Sequence, residues 1–141
     1  MDTKTRELIL VAAQNLNAKI STDENNERFT IKVPLFENKI ITVFIEEMVS
    51  EAYDEYSGKY IRFFSIVEKL QNQNLVKILT LNTFLVEGAF SIVKIEDEIP
   101  YIVIKTTQNV ETADLYEIQV KIKEIATFAL AALEKKLYGF L

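Results

Sequence analysis

The chain is predicted to fold as an α+β protein, an antiparallel sheet packed against helices in the order α-β-β-β-α-β-β-α. Three observations carry that expectation. Near both ends, apolar residues recur at three- and four-residue spacing, which puts them on one face of a helix. Between the ends lie short segments that alternate apolar with polar residues, or are dense in β-branched and aromatic side chains, as strands are. Those segments come in pairs around compact polar turns and so read as hairpins, and adjacent hairpins build an antiparallel sheet with its helices on one face.

Taken in order, residues 3–18 read as the first helix. Leu8, Ala12 and Leu16 share a face, with Ile9 and Ala13 beside them, and Asp2 or Thr3 can cap the first turn. Residues 21–27 are polar and rich in Asp and Asn, a loop composition. Phe29, Ile31, Val33 and Leu35 alternate with Thr30, Lys32 and Pro34, the pattern of a half-buried strand. Pro34 lacks a backbone donor and belongs near a strand end or edge. After the turn Glu37-Asn38-Lys39, residues 40–45 form a second strand. Residues 46–59 are expected to be a long polar connection holding Tyr53, Tyr56 and Gly58, and residues 60–67 a third strand. Gln71-Asn72-Gln73-Asn74 marks the start of a second helix, capped by Asn72 or Asn74, which runs to about Val86 and closes at Gly88 as its C′ residue. Residues 89–95 and 99–106 form another hairpin around Glu96-Asp97-Glu98, and a last helix covers 112–137 before Gly139 breaks it. No repeat of fixed period is visible. At this length the expected organisation is a single domain, 1–141.

Composition narrows function by exclusion. The chain has no His and no Cys. Without His, no Ser–His or Cys–His nucleophile can be assembled, and without either residue a zinc site of the usual donor set is not expected. The absence of Cys excludes disulfides and suits a reducing compartment. Lys and Arg number 16 against 21 Asp and Glu, a net charge of −5, and no basic stripe offsets it. Nucleic acid is therefore not an expected partner. No apolar stretch approaches the roughly 20 residues of a membrane span, and the charged start Asp2-Thr3-Lys4-Thr5-Arg6-Glu7 does not resemble a signal peptide. The expected location is the cytoplasm, with no membrane partner.

Candidate chemistry is sparse. Glu96-Asp97-Glu98 could offer carboxylate oxygens to a hard cation, but consecutive strand residues point to opposite faces, and Asp97 is better read as a turn residue. Glu46, Glu47 and Glu51 read as a solvated charge run. Carboxylate pairs can run glycoside hydrolysis, yet no two here are marked as opposed across a cleft. Gly58, Gly88 and Gly139 are too far apart to form a phosphate loop. Tyr53 and Tyr56 could stack on a ligand or close a loop over the core. Asn82, among apolar neighbours, could contact a ligand or fix the helix register. No catalytic residue, cofactor or metal site is expected, and the residues favour binding over catalysis.

Two helices stand out. Leu75, Ile78, Leu79, Asn82, Leu85 and Val86 make one stripe, while Val76, Leu81 and Phe84 lie off it, so the second helix is apolar almost all round. A helix covering one sheet face needs an apolar arc of only about 100°. This one is expected to be covered on two sides, either by a second subunit or by the other helices of its own chain. The last helix carries Leu115, Ile118, Ile122, Ile125, Ala129 and Ala132 on one stripe, with Tyr116, Val120 and Phe128 on its flank, as a helix lying on a sheet would. The end, Tyr138-Gly139-Phe140-Leu141, is apolar and is either tucked into a groove or a contact surface.

The segment Leu79-Thr80-Leu81-Asn82-Thr83-Phe84-Leu85-Val86-Glu87-Gly88-Ala89-Phe90-Ser91-Ile92 resembles the leucine-rich helix, small residue and strand of the type III secretion chaperone-like superfamily, which holds the class I secretion chaperones and the YbjN-like proteins. The element order and the long last helix are similar as well. The resemblance implies a homodimer, with Leu79, Leu81, Phe84, Leu85 and Phe90 as dimer-interface or core residues. It also implies a non-catalytic, chaperone-like protein-binding module that holds an extended segment of a client protein. The alternative expectation is a small-molecule-binding or regulatory subunit with its pocket between the sheet and the last helix.

Overall fold

Strand pairing organises the molecule. The computed structural model describes residues 1–23, 28–50, 58–70, 75–85, 87–94 and 98–134. Within them β1 (Lys19–Thr22), β2 (Arg28–Pro34), β3 (Ile40–Ser50), β4 (Gly58–Lys69), β5 (Ala89–Lys94) and β6 (Pro100–Asn109) form one antiparallel sheet in the order β1-β2-β3-β4-β6-β5. The first four strands follow one another as a meander. The chain then passes through α2 (Leu75–Thr80) to β5, which lies beyond β6 on the far edge. The other helices are α1 (Thr3–Asn15) and α3 (Leu115–Leu133). The expected α+β class with helices on an antiparallel sheet is what forms, with one strand more than expected.

That extra strand is β1, where a loop was expected. Its sequence Lys-Ile-Ser-Thr has a single apolar residue, so no alternation marks it, and it sits at the sheet edge with only β2 beside it. The first helix ends at Asn15 rather than residue 18 for a local reason. Asn17 takes φ 56°, Ala18 N–H donates to Ala13 O at 2.9 Å, and Asn17 N–H donates to Gln14 O at 3.0 Å. This is the paired-bond stop in which a left-handed residue satisfies the last carbonyls. Asn tolerates that conformation, and the chain turns directly into β1.

The strand boundaries also move. β3 continues to Ser50, so Glu46, Glu47, Met48 and Val49 are strand residues and not part of a polar connection. β4 starts at Gly58 and β6 ends at Asn109. Tyr53, Tyr56, Glu51 and the tail 138–141 lie outside the described residues, as do Gln71-Asn72-Gln73-Asn74.

The core occupies one sheet face. Phe29, Ile31 and Val33 of β2, Ile41, Val43 and Ile45 of β3, Ile61, Phe63 and Val67 of β4, and Ile102 and Ile104 of β6 belong to a single buried cluster with Ile9, Ala12 and Ala13 of α1. Helix α3 completes it with Ile118, Ile122, Ile125, Ala126, Ala129, Leu130 and Ala132. The expected stripe on this helix is therefore the buried one, except that Leu115 is only partly buried; on the expected flank, Tyr116 is exposed. Helix α3 starts three residues later than expected because Asp114 is its N-cap, accepting from Glu117 N–H at 2.8 Å. Asn15 Nδ2 donates to Gln119 Oε1 at 2.7 Å and ties α1 to α3.

The second helix is shorter than expected. After Thr80 it tightens into a 3₁₀ turn, Leu81–Phe84, and Leu85 N–H closes it on Asn82 O at 3.2 Å. Tightening rotates successive side chains by about 120° instead of 100°. Leu81, off the expected stripe, is buried at 1% exposure, and Leu79, on it and still within α2, stands 54% exposed. Gly88 is not a C′ residue, since no described glycine has positive φ. Its lack of a side chain serves a close approach instead: a Cβ there would meet Lys105 O at 3.3 Å and Ile125 Cδ1 at 3.5 Å.

Asn82 resolves to its register role. Its Oδ1 accepts from Phe90 N–H at 2.5 Å and its Nδ2 donates to Phe90 O at 3.2 Å, so one amide clamps the 3₁₀ turn to β5. Asn82→Ala would leave both backbone groups without that partner. It should cost about 1–3 kcal/mol, read from urea unfolding of the two proteins.

Asp2 caps α1 by accepting from Thr5 N–H at 2.7 Å, and this backbone bond to the charged form holds its carboxyl below the ordinary 3.8. A carboxyl depressed in the folded state adds stability above its unfolded pKa and loses it as pH falls through the folded value. Asp2→Ala should therefore lower the melting temperature near neutrality and leave it unchanged at a pH well below 3.8. Thermal melts across that range are the check.

Candidate functional site

The sheet face opposite the helices carries the features that look outward. Buried residues of β3, β4 and β6 belong to the helix-covered core, yet Phe64 at 8% exposure and Val103 at 1% are buried outside that cluster. They lie on the other face, because Phe64 alternates with buried Phe63 and Val103 with buried Ile102 and Ile104. Sheets with one solvated face normally turn polar residues outward. Here the outward positions Phe44, Phe64, Ile66, Val103 and Val93 are apolar and floor a groove of about 430 Å³.

Register builds the groove. Phe44 pairs with Phe64 across β3 and β4, and their rings stack with centroids 5.1 Å apart and planes 26° from parallel. One step along, Arg28, Glu46 and Arg62 stand in a cross-strand row over β2, β3 and β4. Arg28 gives both Nε, at 3.2 Å, and Nη2, at 3.0 Å, to Glu46 Oε2, while Arg62 Nη2 donates to Glu46 Oε1. The guanidinium of Arg28 sits 5.7 Å from the Phe44 ring and 5.6 Å from the Phe64 ring, and that of Arg62 sits 5.4 Å from Phe64. Cations over ring faces and opposite charges side by side both stabilise such a row. The reading of Glu46 as a solvated charge is thereby corrected: its side chain is 17% exposed and bridges two arginines. Glu47 is 3.6 Å from the amino terminus.

The rim is cationic. Lys94 and Lys105 line the groove together with the two arginines. Beside it lies a second hollow of about 420 Å³, bordered among others by Arg62, Lys105, Glu87 and Lys121. Lys121, 9% exposed, donates from Nζ to Glu87 Oε2 at 3.3 Å, and Glu87 O accepts from Thr106 Oγ1 at 3.0 Å. Those contacts fasten β5's approach to α3 and β6.

The expected interface residues divide. Leu81 and Phe90, at 1% and 3% exposure, are core, and Leu85 packs partly buried against that core. Leu79 reaches the surface, with Val76 beside it at 74% exposure, although Val76 was not singled out as an interface residue. The side chain of Phe84 lies outside the described part. Between the sheet and the middle of the last helix the layer is filled by the buried cluster, while a hollow of about 330 Å³ borders the start of α3, lined among others by Gln108, Tyr116, Glu117 and Lys121; the apolar-floored groove is on the sheet's other side. Among the described residues no group of carboxylates could hold a metal ion, and Glu96 and Asp97 lie outside them. No described helix is long and apolar enough to cross a membrane.

The groove was missed because its parts are far apart in sequence. A signal was present. The runs Ile40-Ile41-Thr42-Val43-Phe44-Ile45 and Phe63-Phe64-Ser65-Ile66-Val67 are too continuously apolar for strands with one wet face.

No family profile matches the sequence, and no curated protein is similar to it. Among solved structures, the chain is similar to the crystal structure of YbjN from E. coli, described as a proposed transcription regulator. The match has a TM-score of 0.57 at 13% identity and covers 94% of this chain and 92% of that one. The likeness is one of fold, and it bears out the YbjN-like resemblance at that level.

Glu46→Ala would leave Arg28 and Arg62 without their shared partner on a half-exposed surface. The loss should be about 1 kcal/mol in urea unfolding, smaller at high salt because exposed pairs are screened.

Proposed function

We propose that this chain is a non-catalytic, chaperone-like module that works as a cytoplasmic homodimer and holds an extended segment of a client protein. The observation that carries this reading is the two-sided character of α2 and its 3₁₀ extension. Ile78 and Leu81, each 1% exposed, anchor it to the core, while Val76 and Leu79 stand 74% and 54% exposed on its other side. Ile92 of β5, the strand on which α2 packs, adds a further apolar side chain at 37% exposure. A patch of this kind on a helix is self-complementary across a two-fold axis, the commonest way a small protein covers it. The absence of His and Cys, and the fold shared with a protein described as a proposed regulator, support binding over catalysis, although fold alone does not fix function.

Light scattering on a sizing column tests it. The expected mass is twice the 16.2 kDa of one chain. The double variant Val76→Glu, Leu79→Glu should run as a monomer with an unchanged far-ultraviolet circular dichroism spectrum, because both side chains face outward and two buried charges would oppose association. A monomeric parent protein would sink the homodimer.

A further inference from the structure

We propose that the groove on the helix-free sheet face is a binding site for a small anionic amphiphile, a molecule with a carboxylate or sulfonate head and an apolar body. This inference stands apart from the homodimer reading, since it uses the opposite face of the sheet and none of the α2 residues.

The size fits first. A cavity of about 430 Å³ falls within the roughly 300–1,000 Å³ of small-molecule sites, which are mostly apolar with a few placed polar groups. Phe64 and Val103 form the buried base of the groove, and the half-buried Phe44, Ile66 and Val93 beside them present apolar surface, on a face with no described helix above it. An alkyl or aryl body laid on that floor removes apolar surface from water.

Charge selects the head group. In a chain of net charge −5, the described residues that line the groove include four cations and no carboxylate. Glu46 neutralises part of the arginine row, but two donors are left over. Lys105 has no ion pair among the described residues, and it sits on β6 directly across from Phe64 and diagonal to Arg62. Arg62 Nε is out of contact with solvent and has no acceptor among the described residues. A buried donor without an acceptor is costly, and a charged acceptor placed there would relieve it. Arg62 and Lys105 are also the two basic residues of the groove that border the neighbouring hollow, so the head has room at that end. A cationic ligand would meet repulsion from the same rim. A neutral one would gain only the floor.

Titration calorimetry with three probes built on a ten-carbon chain tests the assignment: decanoate, decanol and decyltrimethylammonium. Decanoate should bind one per chain, decanol at least roughly tenfold more weakly, and the ammonium compound not measurably, since a hydrogen bond to a charged group is stronger than one to a neutral group. Lys105→Glu should weaken decanoate by roughly tenfold or more while leaving the circular dichroism spectrum intact, and Lys105→Gln serves if that variant fails to fold. The Val76→Glu, Leu79→Glu protein should bind decanoate like the parent. No decanoate binding, equal binding of decanoate and decanol, or decanoate binding untouched by either Lys105 variant would overturn the proposal, and none of these results would bear on the dimer.

Discussion

Three described helices lie over a six-stranded sheet, and their buried apolar side chains all join a cluster on one face of it. That constraint shapes the rest of the molecule. On the covered face, packing is conventional: branched aliphatic side chains from every central strand meet the Ile and Ala stripe of α3. Small residues Ala126, Ala129 and Ala132 let that helix approach the sheet closely, so its whole length contributes burial. On the other face the chain must stabilise apolar residues with what the strands themselves carry. It does so through a stacked Phe pair and a charge row whose guanidinium groups lie over the rings. The bare face is thus held by interactions that tolerate water at their edge, which is what an accessible binding surface requires.

Two joints, one between the 3₁₀ turn and β5 and one across β2, β3 and β4, rely on single polar groups used twice. Asn82 serves both the donor and the acceptor of Phe90, and Glu46 serves two arginines. Asn82 links the 3₁₀ turn to β5, and Glu46 of β3 links β2 to β4. Such doubly used groups place elements more sharply than apolar contact can, because hydrogen bonds are directional where burial is not.

Much of this arrangement is legible in the residues. The alternation of Phe29, Ile31 and Val33 against Thr30 and Lys32, and the three-four spacing of Ile118, Ile122 and Ile125, locate a strand and a helix because burial on one side imposes a period. Other features escape for physical reasons. Strand β1 has too little apolar content to show a period and exists because β2 offers it an edge. The extension of β3 through Glu46 to Ser50 depends on Arg28 and Arg62 arriving on either side, which only the folded register provides. Leu79 at the end of α2 stands at the surface and Leu81 at the start of the 3₁₀ turn is core, and nothing in their hydrophobicity distinguishes them. The groove is assembled from several strands, so its legible trace was only the absence of polar residues where a wet face would want them.

The placement of β5 beyond β6 has a consequence for how the chain closes. β1 to β4 join neighbours in sequence, each through a short link. The β4–β6 ladder is different: pairing Lys69 with Tyr101 closes a loop containing α2 and β5. Loop-closure entropy grows with the logarithm of length, so this is the costliest single closure in the sheet, and long-range pairings of this kind slow folding. The two halves of the sheet are therefore unequal in time: a meander that can form locally, and a second hairpin that must be delivered to it.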